Sequence, residues 1–457
     1  MSKTQSKLDF IPPAFNPLVL RLVHWSLPLL RRIRFKPWLP AGIGQIEIIN
    51  GETLVKLLQQ FQIGKIRLIL AFRHCEVDDP LSGLYLFSRG VPQIARQSGI
   101  TLQYPIHSHF IYDRGMTIWA GNWLGWLFSR IGGVPVHRGK SLDLPAIKKV
   151  RDLLINGQFP LTIAPEGGTN GHSDRVSPLE PGVSQLGFWC AEDLQKANRY
   201  ELVIILPINL QYRYIHPKWS KLDKLLRQLE TDCGLASPPI SQTDDNFDIY
   251  LSRIFSLGEY LISEMERFYH RFYRFPLPQH PSPDTSANLN LRLQALLDIS
   301  LKVGENYFGL KTKGNIIERC RRLEEAGWNY IYRQEKQTNL SPVKQGLDNW
   351  IAGEAENVMR HMRLVESFVA VDDTYLLENP CFERFAEISL ILYDAIARIK
   401  GQSNPRRPRL GWRKSTITIG QPINLSDRLS TYQQNRTTAK QAVNKLTQDL
   451  QVALENL

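Results

Sequence analysis

Three short polar stretches hold the residue types that do chemistry. The first, "RHCEVDDPLSG" (73–83), sets His74 five positions before Asp79. Imidazole is the natural general base near neutral pH. A carboxylate within reach fixes its tautomer and stabilises the imidazolium that forms. The Asp-Pro pair predicts a helix start with Asp79 at the N-cap and Pro80 at the first helical position, which would hold the carboxylate near His74. Taken alone, the same pattern also describes a plain helix cap beside a loop histidine. The second stretch, "GGVPVHRG" (132–139), joins glycines to Arg138. A guanidinium stays charged and its planar fork matches phosphate oxygens, although an arginine after a strand is also an ordinary surface residue. The third, "APEGGTNGHSDR" (164–175), puts Glu166 at a strand end, followed by Gly167 and Gly168. Glycines let backbone amides approach a ligand, or simply turn the chain.

Each stretch follows an apolar, β-rich run. "KIRLILAF" (65–72), "TLQYPIH" (101–107), "VPVHR" (134–138), "FPLTIAP" (159–165) and "YELVIILPINLQY" (200–212) read as strands. Between them, 81–99, 116–131 and 142–157 read as helices, the first running into a loop. Strands alternating with helices predict the α/β class, with a mostly parallel sheet covered by helices. Ligands of such sheets sit beyond the carboxyl ends of the strands, so the three stretches can converge. From about 216 to 405 only helical periodicity is found. The strand-like "TITIGQPINLSD" (416–427) and a helix over 435–455 then follow. The expected organisation is a basic amphipathic segment (1–45), an α/β domain (46–215) and a large all-helical insertion (216–405). Residues 406–457 close the α/β domain.

In their order and spacing, His74-x4-Asp79, Gly133-Val-Pro-Val-x-Arg138, Pro165-Glu166-Gly167 and the proline-bearing strand Val203 to Pro207 resemble the glycerolipid acyltransferase family. Within it they resemble the 1-acylglycerol-3-phosphate acyltransferases. "LEPGVSQLGFWCAE" (179–192) and "TITIGQPI" (416–423) resemble two further segments of that family. The likeness spans about 60–215 and 410–430. It implies an O-acyltransferase that moves a fatty acyl group from acyl-CoA or acyl carrier protein to the free hydroxyl of 1-acylglycerol-3-phosphate, forming phosphatidic acid. His74 would deprotonate that hydroxyl and Asp79 would orient His74. Backbone amides of the His74 loop or the Glu166–Gly168 turn would hold the oxyanion. Arg138 would bind phosphate, while Glu166, Gly167 and Gly168 would shape the acceptor site. No covalent acyl-enzyme, metal or cofactor is implied. Two positions depart from the pattern. An extra glycine and Asn170-Gly171 stand where the third motif usually carries an arginine, leaving Arg175 as the available substitute. Arg73 replaces the common asparagine before the histidine. Another lysophospholipid or lipid alcohol is therefore a second acceptor class, and a non-catalytic membrane lipid-binding scaffold a third reading.

Charge and composition fit this setting. The chain has 457 residues and a formal charge of +12. Residues 1–40 hold seven Lys or Arg against one Asp, interleaved with Leu, Val, Ile, Trp and Phe. The apolar run from 22 to 30 is far short of the roughly 20 residues that span a bilayer. It predicts a helix lying on an anionic membrane surface, or else packed on the protein's own core, and so a peripheral protein at a cytoplasmic face. Five scattered cysteines without CxxC spacing argue against a disulfide framework or structural zinc. No nucleic-acid recognition motif is found. His107 and His109, on one strand face, could join His74 and Asp79 at a metal, or could pack. Trp119, Trp123 and Trp126 form either a core stripe or a membrane-facing border. Cys75, beside His74, is a poor candidate nucleophile.

Overall fold

The structure is a computed structural model. It describes residues 5–6, 10–34, 42–137, 143–238, 247–276, 285–333, 340–368, 371, 374–402 and 405–457. The chain divides into two compact units.

The α/β unit comprises residues 10–137, 142–216 and 411–457. After a two-residue strand β1 (Gln5–Ser6), which belongs to the other unit, it runs α1 (Pro17–Leu30), β2 (Ile43–Ile49), α2 (Gly51–Gln62), β3 (Ile66–Phe72), α3 (Asp79–Tyr85), α4 (Val91–Gln97), β4 (His109–Asp113), α5 (Met116–Ala120), α6 (Asn122–Arg130), β5 (Gly133–Val136), α7 (Leu144–Asn156), β6 (Leu161–Ile163), α8 (Gly182–Lys196) and β7 (Leu202–Tyr214). Its sheet has eight strands in the order β2-β9-β7-β3-β6-β4-β5, closed by β9 (Arg413–Ile419) and by β10 (Ile423–Asn424) on β7. Strands β7, β3, β6, β4 and β5 are parallel, β9 is antiparallel to β7, and β2 is parallel to β9. The fold is thus α/β with a mostly parallel sheet. A short helix α16 (Leu429–Tyr432) and α17 (Arg436–Glu455) end the chain.

The central strand β3 is buried at all seven positions. Leu68, Leu70 and Phe72 pack on one side with residues of α2 and of the helical stretch from α3 to α4; Ile69 and Ala71 pack on the other with α7, α8 and α17. This is why a parallel strand reads as a continuous apolar run. Its one charged residue, Arg67, donates to the carbonyls of Leu154 (2.6 Å) and Gly157 (2.9 Å) at the end of α7. Those carbonyls lack helical partners, so the buried guanidinium caps the helix. Leu70→Ala would cost about 2–5 kcal/mol by opening a cavity in this core.

The structure departs from the sequence expectations in particular places. Residues 101–108 form no strand; Pro105 has no amide to give a ladder. The segment 81–99 continues as helix to Gln97, through a wide turn at Leu86–Gly90, instead of ending in a loop. The helix expected over 116–131 is broken at Gly121, whose φ of +97° suits glycine. Asp78, not Asp79, is the N-cap of α3. Phe10 onward, α1 included, belongs to the α/β unit.

The second unit holds residues 217–410 together with 1–9 and 138–141. It contains α9 (Trp219–Cys233), α10 (Phe247–Tyr273), α11 (Thr285–Phe308), α12 (Ile316–Ile331), α13 (Pro342–Phe368), α14 (Thr374–Glu378) and α15 (Phe382–Ile399). One strand was not expected here: β8 (Tyr332–Arg333) pairs with β1. Buried ion pairs join the helices, Arg253 to Glu230, Arg292 to Glu266 and Arg319 to Glu305. Among the described residues, no helix is long and apolar enough to cross a membrane.

Candidate active site

The site begins where β3 runs out. Arg73 still bonds Ile208 of β7 through its amide (2.9 Å), and the chain then leaves the sheet. His74 is the first residue of the loop, and α3 starts at Asp79. Asp79 Oδ2 lies 3.0 Å from His74 Nδ1 and accepts the amide of Glu76 at 2.8 Å. As a carboxylate Asp79 accepts, which assigns the proton to His74 Nδ1. Nε2 is then the lone-pair nitrogen, the one able to take a proton. The His74 side chain is 29% exposed and that of Asp79 only 1%. The pair thus offers a reachable imidazole on a buried anchor.

Asp79 is held from behind. Its Oδ1 accepts the Tyr212 hydroxyl at 2.7 Å. Burial, with the carboxylates of Asp79 and Asp78 nearby, pushes the Tyr212 phenol well above its ordinary value, so it stays a donor. Arg413, on β9, stacks over the Tyr212 ring at 4.5 Å and pairs with Asp78 Oδ2 at 2.5 Å. Burial raises Asp78 to about 7, against the pull of Arg413.

Glu166 follows β6 and is buried. Its Oε2 accepts the His74 amide (3.0 Å), and its Oε1 accepts the Ser177 amide (3.0 Å) and lies 3.6 Å from Arg73 Nε. Burial raises its pKa and Arg73 opposes the rise. These contacts make Glu166 an organiser of the His74 loop. Gly167 adopts φ +69°, which favours glycine, and a Cβ there would lie 2.3 Å from Glu180 Oε1, so the end of that side chain would have to move. Gly168 is half-buried in the same turn. Three amides expected near the oxyanion are already engaged: His74 with Glu166, Glu76 with Asp79, and Gly167 with the Ala164 carbonyl.

Arg73 is the most enclosed large side chain of the region. Its guanidinium donates to the carbonyls of Ser173 (2.5 Å), His172 (2.8 Å) and Arg175, and to Asn209 Oδ1 (3.2 Å). It therefore pins the 172–175 loop to β7. Asn170 bonds inward, to Glu166 and to the Arg175 carbonyl (2.7 Å). Gly171 donates to the Cys75 carbonyl at 3.0 Å. Thus His74, Asp79, Glu166 and the Arg175 backbone meet in one network, with Gly167 in the turn beside Glu166. Arg138 lies outside the described residues.

Other candidates resolve differently. The Cys75 thiol is buried against the Leu210 carbonyl, and burial pushes its pKa well up, which suits packing and not attack. His107 and His109 bond the carbonyls of Ile131 (2.8 Å) and Gly132 (3.1 Å) and pack on Phe159. Among the described residues no group of three His, Cys, Asp or Glu could hold a metal. Trp123 and Trp126 are about half exposed, which does not suit a core stripe, and the Trp119 side chain lies outside the described residues.

Arg73 stands out in sequence only as a departure before the histidine, and Tyr212, Asn209 and the Asp78–Arg413 pair do not stand out at all. One signal was present: a charged or polar residue at the end of, or inside, an otherwise apolar run marks a position that must find a partner. The chain matches no protein-family model and no curated protein sequence.

Proposed function

We propose that this chain is an O-acyltransferase working at a membrane surface, with a lysophospholipid such as 1-acylglycerol-3-phosphate as acceptor and acyl-CoA or acyl carrier protein as donor. The carrying observation is the partly exposed His74 imidazole, anchored through Nδ1 on buried Asp79. His74 Nε2 takes the proton of the acceptor hydroxyl as its oxygen attacks the thioester carbonyl. The C–O bond forms, the tetrahedral oxyanion collapses, and the C–S bond breaks. The imidazolium then returns the proton to the departing thiolate. Asp79 holds the tautomer and stabilises the imidazolium. With the Cys75 thiol buried, direct transfer suits the site better than an acyl-enzyme.

The outer face of α1 supports the surface setting. Leu18, Leu22, Trp25 and Leu29 recur at i, i+4, i+7 and i+11, and are 64%, 65%, 83% and 50% exposed. Leu20 and Leu27, on the opposite face, are buried. The exposed Arg21 and Arg32 flank the apolar stripe, and α1 packs on α3, the helix that begins at Asp79. An apolar stripe edged by arginines suits an anionic bilayer interface. This supports peripheral attachment, for which we propose a cytoplasmic face and a lipid acceptor reached from the membrane surface.

The inward bonding of Asn170 favours a second acceptor class, a lysophospholipid or lipid alcohol without a terminal phosphate. The deciding experiment offers labelled acyl-CoA or acyl carrier protein to a panel of lysolipids and lipid alcohols. Transfer to lysophosphatidic acid supports the first acceptor. Transfer only to other acceptors supports the second. Absence of transfer to all of them refutes the enzyme and leaves a lipid-binding scaffold.

A further inference from the structure

The helical unit has its own cavity. Helices α10, α11, α13, α14 and α15 surround about 980 Å³ of space, counting the mouth. Only Asn290 and Ser300 among its lining residues are polar, and none is ionisable. Ser300 is already turned onto the Leu296 carbonyl of its own helix, at 2.8 Å. Asn290 Oδ1 is buried with no hydrogen-bond partner among the described residues. Two phenylalanines apart, the wall is aliphatic: Leu, Ile, Val, Met, Ala and one Gly.

Water gains little in such a space, because each molecule needs two to four polar partners. Hydrocarbon gains both burial and dispersion contacts. Branched aliphatic walls with a flexible methionine (Met265) conform to a chain better than to a flat ring. Among the described residues no charged side chain lines the cavity, which suits entry of the chain with an ionised head left outside.

We infer that the helical unit is a binding site for a single aliphatic chain of a lipid, in the cavity between α10, α11 and α15. The chain is either that of a free fatty acid or one drawn from a bilayer lipid. The inference stands apart from the acyl-transfer proposal, since no residue of the His74 network takes part.

The test uses the full chain with palmitate and, separately, with phosphatidylcholine vesicles, each carrying a trace of photoreactive diazirine fatty chain. Saturable binding of about one chain per protein is expected, with cross-links on α10, α11 or α15. Labelling from monomeric acid identifies a free fatty acid as the source, and labelling from vesicles a membrane lipid. Gly258 lines the cavity, and a Cβ there would meet Leu289 at an ordinary 3.5 Å. Larger side chains at Gly258 or at Ala395, on the facing α15, therefore fill the space. Gly258→Phe and Ala395→Phe should each weaken palmitate binding by about tenfold or more, the loss of roughly 1.4 kcal/mol. His74→Ala should leave it unchanged. Should the filled variants fold poorly, the cross-links on the native chain decide alone. Non-saturable binding, labelling confined to α1 and α6, or undiminished affinity in both folded variants would overturn the inference.

Discussion

Asp79 is a buried carboxylate with three donors aimed at it: the His74 ring, the Glu76 amide and the Tyr212 hydroxyl. Two of these fix where it points, and the third is the group it serves. Tyr212→Phe removes a donor and leaves Oδ1 short of a partner, a loss of about 1–2 kcal/mol. The expected result is a roughly 5–30-fold lower kcat with little change in KM, and an acid limb of the pH–rate profile moved upward. A merely structural tyrosine would lower stability without moving the profile. Gly167→Ala tests the loop in the same way. The strained φ should lower the melting temperature of the variant. The His74–Asp79 pair was legible in sequence because its partners are five residues apart. Tyr212 was not, because it lies 133 residues from Asp79 and only the β3–β7 pairing brings it near.

At the scale of elements, α1 and the loop before β4 share a buried histidine pair. The His24 and His107 rings stand 6.3 Å apart, each with one ring nitrogen lacking a hydrogen-bond partner among the described residues. Burial lowers both pKa values, that of His107 to about 3. The folded pKa lies below the unfolded 6.5, so the unfolded chain binds more protons between them. Stability is therefore fully present above about pH 6.5 and falls with pH, by up to roughly 1.4 kcal/mol per unit from His107. Urea midpoints measured from pH 7 to 4 should show this slope. His107→Gln, which keeps a donor for the Ile131 carbonyl, should flatten it. Most elements could be read from the sequence for a related reason: burial on both faces writes β3 and β7 as unbroken apolar runs. The segment 101–108 misled because its apolar residues, Leu102 and Ile106, are core residues on a loop. The break at Gly121 is a backbone event that apolar spacing does not record.

Across the whole molecule, each unit carries its own apolar feature. The α/β unit turns an apolar stripe of α1 outward, and the helical unit encloses an aliphatic cavity. Leu22→Glu or Trp25→Glu should lower binding to anionic vesicles by about tenfold or more, since burying such a side chain is worth roughly 1.5–3 kcal/mol. Thermal stability should hold, because both side chains face solvent. Unchanged vesicle binding would remove α1 as the contact. The α/β class and the inserted helical region followed from the order of apolar runs. The cavity did not, because it depends on which helix faces meet.

The central claim is that His74 is the base of an acyl transfer. Its most direct test is the initial rate of acyl transfer to lysophosphatidic acid and the other panel acceptors, in native protein and in folded His74→Ala at the same vesicle loading. The account predicts transfer by the native chain and a loss of about 10²–10⁴-fold in the variant. Transfer that survives the substitution would contradict it.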